Sequence, residues 1–334
     1  MRKATLSVVM PNYNHARYLP VALEAVLRSH RAPDQIVVVD DASTDRSRDL
    51  IDYYAQRDPR IVPLYNETNV GAVASMNRGL AAATGDYVAL LAADDWVMPE
   101  LFDWSLQLLE RWPTAAYCST LSHKADSAGR DLGLFPSWSP LQRPGYLPPE
   151  RAIRQLALHG TWVLGNTTVY RTSALKGVGG FDPGLAAYCD GFLHELLAIR
   201  DGACFIPRPL AVWRVSADGY SATTSTDTVR WLAVLERAET LMRTRYADVF
   251  PEWYVRTWQR RQRSGAAWQA WRRHQDSLEQ ELRQLLSPPS RQDDLLLNAL
   301  GVAAKLLRRL VMVYVRIALT RPFRNPARGS VDPR

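Results

Sequence analysis

The sequence predicts an α/β fold with a mostly parallel central sheet, helices on both faces and a C-terminal α-helical extension. Short apolar runs alternate with segments of helical periodicity over residues 6–97. This alternation is typical of parallel strands connected by helices. Two of the apolar runs end in adjacent aspartates, and the last third of the chain combines helical composition with many arginines and tryptophans.

The first part of the chain predicts the order β-α-β-α-β-α-β. Its expected strands cover residues 6–10, 35–39, 61–65 and 87–91. Its expected helices cover residues 18–28, 43–56 and 72–83. Leu19, Leu23, Val26 and Leu27 form one apolar face of the first helix. We expect Pro11 to end the first strand.

The following residues predict a less regular second half of the same domain. Its expected helices cover residues 100–111, 151–158 and 192–200. Its expected strands cover residues 115–121, 166–170, 204–206 and 211–215. Between them, residues 123–149 are polar and rich in Gly and Pro, which indicates a long surface loop.

The run Tyr87–Leu91 is followed by Asp94 and Asp95. Ligands of open α/β sheets bind at the carboxyl ends of the strands. Adjacent carboxylates repel each other unless a positive charge lies nearby, so a divalent metal holding a phosphate-bearing ligand is one interpretation. An acidic loop in which Asp95 caps the next helix is the other. Asp40 and Asp41 end the second strand in a similar way.

Several common classes of protein are disfavoured. The turn Pro11–Ala16 contains no glycine, unlike the phosphate-binding turn of dinucleotide-binding folds, and the chain has no Walker-type loop. The three cysteines have no close spacing, which argues against a disulfide framework or a cysteine zinc site. We also expect no membrane-spanning helix, since no uncharged apolar segment reaches about 18 residues.

The positive charge is concentrated near the C-terminus. Residues 1–229 contain 21 Lys/Arg and 24 Asp/Glu, whereas residues 230–334 contain 20 and 10. We expect a domain over residues 1–222, a helical extension over 223–286, and a basic amphipathic helix with its tail over 287–334. The apolar face of residues 295–319 is wide, as expected of an anchor at a membrane interface. A helix packed on the domain or in a homodimer is the alternative. Nucleic acid is disfavoured because no nucleic-acid module is visible.

Six short motifs occur in order between residues 7 and 190. They are Ser7–Asn14; Ile36–Asp45; Asn69–Gly71 with Asn77–Gly79 and Thr84–Asp86; Ala93–Asp95; Gly179–Asp182; and Cys189–Asp190. On these motifs, residues 5–222 resemble the family-2 glycosyltransferases, which have the nucleotide-diphospho-sugar-binding fold called GT-A. Each motif is weak alone, and their order and intervals make the resemblance specific.

The resemblance implies which residues bind the nucleotide-sugar. These are Pro11, Tyr13, Asn14, Asp41, Asn69, Asp94 and Arg214. Tyr13 would stack on a pyrimidine, Asp41 would accept a base N–H, and Asp94 would bind the ribose hydroxyls. An exposed turn tyrosine and a helix N-cap aspartate are the structural alternatives for Tyr13 and Asp41.

The resemblance also implies a metal ligand and a catalytic base. Asp95 would ligate Mn²⁺ or Mg²⁺, which prefer oxygen ligands. Asp190 would be the general base of an inverting enzyme, and an N-cap for a helix beginning at Phe192 is its alternative. Cys189 replaces the glutamate that usually precedes the base, and no histidine follows Trp213–Arg214. Either the metal has fewer protein ligands, or Arg214 contacts the phosphates.

These features predict a metal-dependent glycosyltransferase that uses a nucleotide-diphospho-sugar, with UDP as the family's commonest donor nucleotide. The expected acceptor is a glycan or lipid-linked glycan in surface-polysaccharide or O-antigen-type biosynthesis, with inversion. The expected location is cytoplasmic, peripheral at the inner face of the membrane, and a homodimer is compatible. A non-catalytic, membrane-associated scaffold that retains the fold is the alternative.

Overall fold

The computed structural model describes residues 3–136, 138–215 and 228–273. Its strands are β1 (Leu6–Asn12), β2 (Gln35–Asp40), β3 (Ile61–Tyr65), β4 (Tyr87–Leu90), β5 (Trp96–Val97), β6 (Tyr117–Ala125), β7 (Asp131–Phe135), β8 (Gly145–Leu147), β9 (Val169–Arg171) and β10 (Ala203–Arg214). Its α-helices are α1 (Leu19–Leu27), α2 (Ser47–Ala55), α3 (Ala72–Ala82), α4 (Leu101–Arg111), α5 (Pro149–His159), α6 (Thr172–Gly177), α7 (Cys189–Asp201), α8 (Thr228–Arg243) and α9 (Glu252–Arg273). Short 3₁₀ turns cover Gly165–Thr167 and Pro183–Tyr188.

The described strands form one mixed sheet. Its order is β3-β2-β1-β4-β9-β6-β10-β5, with β7 added to β6 and β8 added to β10. Strands β3, β2, β1 and β4 are parallel, and β9 lies antiparallel between β4 and β6. The chain therefore builds outward from β1 to β3 and then crosses to the other side of β1 to form β4. Such a reversal of strand order opens a crevice at the carboxyl ends of the strands.

Helices cover both faces of the sheet around β1. Leu6, Val8 and Met10 are fully buried in one core cluster with residues of α1 and α4. Val9 points to the opposite face, where α3 packs. A Cβ atom on Gly79 of α3 would lie only 2.3 Å from Val9 Cγ1, so this close packing requires glycine. The predicted fold class, a mostly parallel sheet between helices, is confirmed.

Strand β1 continues through Pro11, contrary to our expectation that proline ends it. Pro11 is paired with Val39 of β2, and its carbonyl accepts the N–H of Ala93 at 3.3 Å. The carbonyl and the missing N–H of one strand residue point to the same side. The N–H group that Pro11 lacks would therefore point toward β4. Leu90 is the last residue of β4 that pairs with β1.

Other boundaries also differ from the predicted ones. The expected surface loop over residues 123–149 contains β7 and β8, which pair with β6 and β10. The two short strands expected near the end of the domain form one strand, β10, with irregular pairing between Ile206 and Ala211. Helix α7 begins at Cys189 rather than at Phe192. Each difference comes from a long-range strand pairing or a local turn that periodicity does not encode.

The chain divides into two compact units, residues 1–224 and 225–334. In the second unit, α8 and α9 are helical over Thr228–Arg243 and Glu252–Arg273, and Gln259 Nε2 of α9 donates to Glu239 of α8 at 2.8 Å. The predicted boundaries at 222/223 and 286/287 stay predictions. The predicted amphipathic helix over residues 295–319 lies outside the described residues.

Within the described ranges, none of the helices combines the length and the apolar character that crossing a bilayer requires.

Candidate functional site

The loops that follow β1 and β2 are hydrogen-bonded to each other. The Asn14 N–H donates to Ser43 Oγ at 2.9 Å, and Asn14 Oδ1 accepts the N–H of Thr44 at 2.8 Å. Asn14 has a φ of 56°, a left-handed conformation that asparagine tolerates better than most residues. The side-chain oxygen of this predicted donor-binding residue thus joins the two loops, while the neighbouring Tyr13 ring is 43% exposed.

The two aspartates after β2 have different surroundings. Asp40 is fully buried, forms an ion pair with Arg48 at 2.9 Å, and accepts a hydrogen bond from Asn12 Nδ2 at 2.9 Å. A buried carboxylate needs such partners, because an unpaired buried charge is very costly. These contacts fully explain Asp40 as a support for the ends of β1 and β2.

Asp41 holds the loop before α3 in place. Its Oδ1 accepts from Asn66 Nδ2 (2.6 Å) and from the Val70 N–H (2.9 Å), and its Oδ2 accepts from the Gly71 N–H (2.8 Å). Asn69 Oδ1 also accepts from the Gly71 N–H, at 3.1 Å. Asp41 is therefore not a cap for α2, whose N-cap residue makes no side-chain cap bond. It brings the predicted Asn69 to the edge formed by β1 and β2.

Ala42 is held in a left-handed conformation, with φ of 59°, directly after Asp41. Such a conformation costs an L-residue about 1–2 kcal/mol. Glycine would remove this cost, but it also raises the entropy of the unfolded chain, which cancels part of the gain in stability. We expect Ala42→Gly to raise the free energy of unfolding by about 0.5–1 kcal/mol. Urea denaturation measures this change. The control is Ala16→Gly, in the neighbouring loop and without a positive φ, which should be neutral or destabilising. A loss of stability in Ala42→Gly would contradict the assignment of strain.

The acidic pair after β4 is fastened to the end of β10. The Arg214 N–H donates to Asp95 Oδ1 at 2.8 Å, and Arg214 Nε donates to the Asp94 carbonyl at 3.0 Å. Asp95 is 5% exposed, whereas Asp94 is only partly buried. Asp95 also lies well before the first residue of α4 and makes no cap bond there. The alternative of a helix-capping Asp95 is therefore wrong.

The guanidinium of Arg214 is enclosed by two aromatic rings. Its Cζ lies 4.2 Å from the ring centroid of Tyr18 and 4.9 Å from that of Trp96. Its Nη1 donates to the carbonyls of Asp126 and Ser127, at 3.1 and 3.2 Å. Cation–π contacts and carbonyl acceptors together keep this buried charge in place. Arg214 thus connects the acidic loop to the β6–β7 hairpin.

The carboxylate of Asp95 has an unusual electrostatic environment. Burial raises its pKa well above the ordinary value, and repulsion from Asp94 raises it further. The Arg214 N–H, the charge of Arg214 and the nearby Asn166 amide act in the opposite direction. A cation placed at this carboxylate would relieve both the burial penalty and the repulsion.

Asp190 lies in the first turn of α7, and its Oδ1 accepts the N–H of Gly191 at 2.7 Å. The residue that caps this helix is Tyr188, so the N-cap alternative for Asp190 is wrong. Burial raises the pKa of Asp190, while the Gly191 and Gly165 N–H groups lower it. The turn at Gly165 lies against this carboxylate, since a Cβ there would be 3.2 Å from Asp190 Oδ2.

The 3₁₀ turn Gly165–Thr167 therefore connects two of the predicted residues. Gly165 contacts Asp190, and the adjacent Asn166 amide lies beside Asp95. The turn packs against β4, β5, β6 and β10, at the middle of the sheet. The sequence alone does not single out Asn166, because an asparagine before a short apolar run is equally compatible with an ordinary turn.

The predicted residues fall into two groups along the carboxyl edge of the sheet. Pro11 lies near the end of β1, and Tyr13, Asn14, Asp41 and Asn69 lie on the loops after β1, after β2 and before α3. A second group, Asp94, Asp95, Arg214 and Asp190, lies around the ends of β4 and β10 and the start of α7. Both groups adjoin the place where the strand order reverses at β1 and β4, which is the expected position of a ligand site in an α/β fold.

The donor chemistry at this edge is compatible with a divalent cation at Asp95. Asp95 Oδ1 accepts the Arg214 N–H, and carboxylate oxygens suit Mn²⁺ and Mg²⁺. Among the residues that the structure describes, no cluster of three or more His, Cys, Asp or Glu side chains could hold a metal. A cation here would thus take most of its ligands from a bound phosphate group or from water.

The fold and the acidic edge define an α/β protein of the nucleotide-diphospho-sugar-binding class. The family model described as glycosyl transferase family 2 matches residues 7–179, more than half of the 334-residue chain. The chain belongs to this family. An uncharacterized glycosyltransferase of Nostoc sp. is 31% identical over 211 residues, 60% of this chain and 63% of the relative. The chain spans about three fifths of the length of the curated relatives it matches first.

Solved structures share the GT-A fold with this chain. S. aureus TarS in complex with UDP-GlcNAc aligns with a TM-score of 0.66 and 16% identity, over 95% of this chain and 90% of TarS. Pyrobaculum calidifontis mannosyltransferase PcManGT in complex with GDP-Man and Mn²⁺ aligns with a TM-score of 0.54 and 17% identity, over 95% of this chain and 86% of PcManGT. These similarities establish the predicted GT-A architecture.

Proposed function

We propose that this protein is a metal-dependent glycosyltransferase that moves a sugar from a nucleotide-diphospho-sugar to a glycan or lipid-linked glycan acceptor, with inversion. The observation that carries the proposal is the single turn Gly165–Thr167 flanked by two carboxylates, Asp95 and Asp190. One carboxylate would face a metal-bound diphosphate and the other would face an acceptor. Membership of glycosyl transferase family 2 supports the assignment.

The first group of residues would bind the nucleoside. The exposed Tyr13 ring is free to stack on a pyrimidine base, beside Pro11. Asp41 already accepts three protein hydrogen bonds, two of them on Oδ1, so a base N–H would reach Oδ2. Asn69 would contact the same ligand from the loop that Asp41 holds, and Asn14 would keep the loops after β1 and β2 aligned. UDP is the nucleotide we propose, as in the TarS complex with UDP-GlcNAc.

Asp94 and Asp95 would bind the ribose and the diphosphate end of the donor. Asp94 is partly exposed and would accept hydrogen bonds from the ribose hydroxyls. Asp95 would hold Mn²⁺ or Mg²⁺, and PcManGT was solved with Mn²⁺. Such a metal supplies Lewis-acid stabilisation of the departing diphosphate. Arg214 would keep Asp95 in position and add positive charge near the phosphates, where other family members often carry a histidine.

Asp190 would act as the general base. The acceptor hydroxyl attacks the anomeric carbon from the face opposite the diphosphate, and its proton passes to the Asp190 carboxylate as the new C–O bond forms. The bond between the anomeric carbon and the phosphate oxygen breaks, and the electron pair leaves with the nucleoside diphosphate. A base at a raised pKa is better matched to this proton transfer than an ordinary aspartate.

A panel of nucleotide-sugars with Mn²⁺ tests the proposal. We expect one donor to raise the melting temperature and to be slowly hydrolysed when no acceptor is present, with its nucleoside diphosphate released. Binding without any hydrolysis or transfer would favour the second candidate, a non-catalytic scaffold that retains the fold. This candidate rests on Cys189, which occupies the place of a family glutamate. No stabilisation by any nucleotide-sugar would overturn the proposal.

We further propose that the protein works at the cytoplasmic surface of a membrane, in surface-polysaccharide or O-antigen-type biosynthesis. Its support is the sequence of residues 295–319, in which Lys305, Arg308, Arg309 and Arg316 would share one narrow face opposite an apolar one if the segment is helical. Residues 230–334 carry a net charge of +10 (20 basic minus 10 acidic residues), which suits anionic lipids.

Deletion of residues 291–334 should release the protein from membranes while leaving nucleotide-sugar binding unchanged. Residues 6–214, which contain the candidate site, are intact in this variant. Sedimentation with vesicles of anionic and of neutral phospholipid measures the change, and binding of the full chain to anionic vesicles should weaken with salt. Equal sedimentation of the full and shortened chains would exclude these residues as the membrane contact.

A further inference from the structure

Asn166 has a buried amide whose carbonyl oxygen is unpaired. It is 9% exposed, its N–H group faces the Asp95 carboxylate as a hydrogen-bond donor, and its Oδ1 has no partner within the part of the chain that the structure describes. Nearly all buried polar groups in folded proteins are paired, because an unpaired one costs stability. An unpaired amide oxygen at the edge where a ligand is expected is therefore a position that a donor group of the ligand can occupy.

The position of this amide limits what that ligand can be. Asn166 lies beside Asp95, and the preceding residue, Gly165, lies against Asp190. If Asp95 faces the diphosphate and Asp190 faces the acceptor, the sugar being transferred must lie between them. The attacking oxygen, the anomeric carbon and the leaving oxygen are aligned in an inverting displacement, so the group between the two carboxylates is the sugar ring itself.

The chemistry of the amide suits this ligand. A carboxamide offers two N–H donors and a carbonyl acceptor. A sugar hydroxyl is both a donor and an acceptor, so the amide can pair with one or two hydroxyls of the ring. If the sugar occupies the space between the two carboxylates, this pairing is lost when the ligand is a nucleoside diphosphate without a sugar.

We propose that Asn166 binds the hydroxyl groups of the transferred sugar and thereby determines how strongly the protein prefers a nucleotide-sugar over the free nucleoside diphosphate. This role rests on the proposed function. It makes Asn166 a specificity-determining residue of the donor site, distinct from the residues that hold the nucleotide.

The test compares ligands with and without the sugar. Isothermal titration calorimetry with Mn²⁺ measures the affinities of the wild type and of Asn166→Ala for UDP and UDP-GlcNAc, and for GDP and GDP-Man. We expect Asn166→Ala to bind the nucleoside diphosphate within about twofold of the wild type. We expect its affinity for the matching nucleotide-sugar to fall about tenfold or more, the usual effect of losing a buried hydrogen bond.

Thr172→Val is the matched control. Thr172 Oγ1 is another buried polar atom without a hydrogen-bond partner among the described residues, on the residue that follows β9. Its backbone N–H bonds to Asp86, which precedes β4, so it lies at the opposite end of the sheet from Asp95. This variant should bind both kinds of ligand like the wild type. A second variant, Asn166→Ser, keeps a smaller donor and acceptor and should recover part of the lost affinity.

The outcomes separate the two proposals. If the wild type binds none of these nucleotides, the proposed function fails with these donors. If the wild type prefers a nucleotide-sugar and Asn166→Ala retains that preference, the role of Asn166 is overturned while the function stands. An equal loss of affinity for the nucleotide-sugar and the nucleoside diphosphate would also overturn it, since Asn166 would then support the fold or the nucleotide rather than the sugar.

Discussion

Asp190→Asn should bind a nucleotide-sugar like the wild type and lose transfer by about 10²–10⁴-fold, the range that general-base catalysis contributes. The substitution preserves the size of the side chain and leaves Oδ1 able to accept the Gly191 N–H, so the first turn of α7 should persist. What it removes is the carboxylate that takes the acceptor proton. Calorimetry with the donor and a coupled assay of nucleoside diphosphate release measure the two effects separately.

The pH dependence of transfer provides a second measurement of the same residue. The carboxylate must be ionised to act as a base, and burial raises the pKa of Asp190 above the ordinary value of an aspartate. Transfer should therefore decline on acidification at a higher pH than an exposed aspartate would give. Tyr170 and Cys189 are the titratable groups that Asp190 influences most directly, and burial raises the pKa of both. Both stay neutral in the acid range, so neither causes the decline. The pKa of Asp95 is raised as well, so the pH dependence of donor binding is measured separately to isolate its share.

Asp201→Asn is the matched control at the other end of α7. Asp201 pairs with Arg200 at 2.5 Å on the surface, and surface pairs contribute little to stability. This variant should keep full activity and the same pH profile. Undiminished transfer by Asp190→Asn would remove Asp190 as the base. Loss of donor binding in that variant would instead place Asp190 in the donor site.

Asp95→Ala should abolish the effect of Mn²⁺ on donor binding. In the wild type, we expect UDP to bind at least about tenfold more weakly when the metal is removed with EDTA. Without the Asp95 carboxylate, the affinity should be equally low with and without metal. The alanine also removes the acceptor of the buried Arg214 N–H. Asp95→Asn is therefore the better-matched substitution, because its amide oxygen can still accept this hydrogen bond.

A control separates the loss of a ligand from a general loss of negative charge. Asp103 on α4 accepts a hydrogen bond from Gln107 and lies on a helix surface. Asp103→Asn should leave both the affinity and its metal dependence unchanged. If Asp95→Asn still shows metal-dependent binding, the metal lies elsewhere and Asp94 becomes the candidate ligand. If the wild type binds UDP equally well with and without metal, metal dependence itself is wrong.

Much of the parallel half of the sheet could be predicted from local patterns. The apolar runs of β1, β2 and β4 are buried on both faces, so they form continuous hydrophobic segments in the sequence. The aspartates after β2 and β4 follow such runs directly, which fixes their place at the carboxyl edge. The prediction that Pro11 ends β1 was wrong, because the effect of proline on a strand depends on which neighbouring strand its missing N–H would face. Only the assembled sheet determines that.

The mixed half of the sheet could not be predicted in the same way. Strand β9 is only three residues long and antiparallel, and it is inserted between two strands that come earlier in the chain. No local signal encodes that insertion. Asn166 and the backbone of Arg214 meet Asp95 only because β9 and β10 bring them there. The motif resemblance located Asp190, while its place beside Gly165 is a tertiary contact.

The antiparallel insertion of β9 has a consequence for how donor recognition could diverge. The loops expected to hold the nucleotide belong to the parallel strands β1 and β2, whereas the turn expected to contact the sugar precedes β9. These two sets of contacts are carried by separate segments of chain, which share a sheet but no loop. Substitutions in the turn could therefore retune the preferred sugar with little change in the preferred nucleotide. Recognition of the nucleotide would then be independent of recognition of the sugar. Substitutions in the two sets of contacts should have nearly additive effects on the free energy of donor binding.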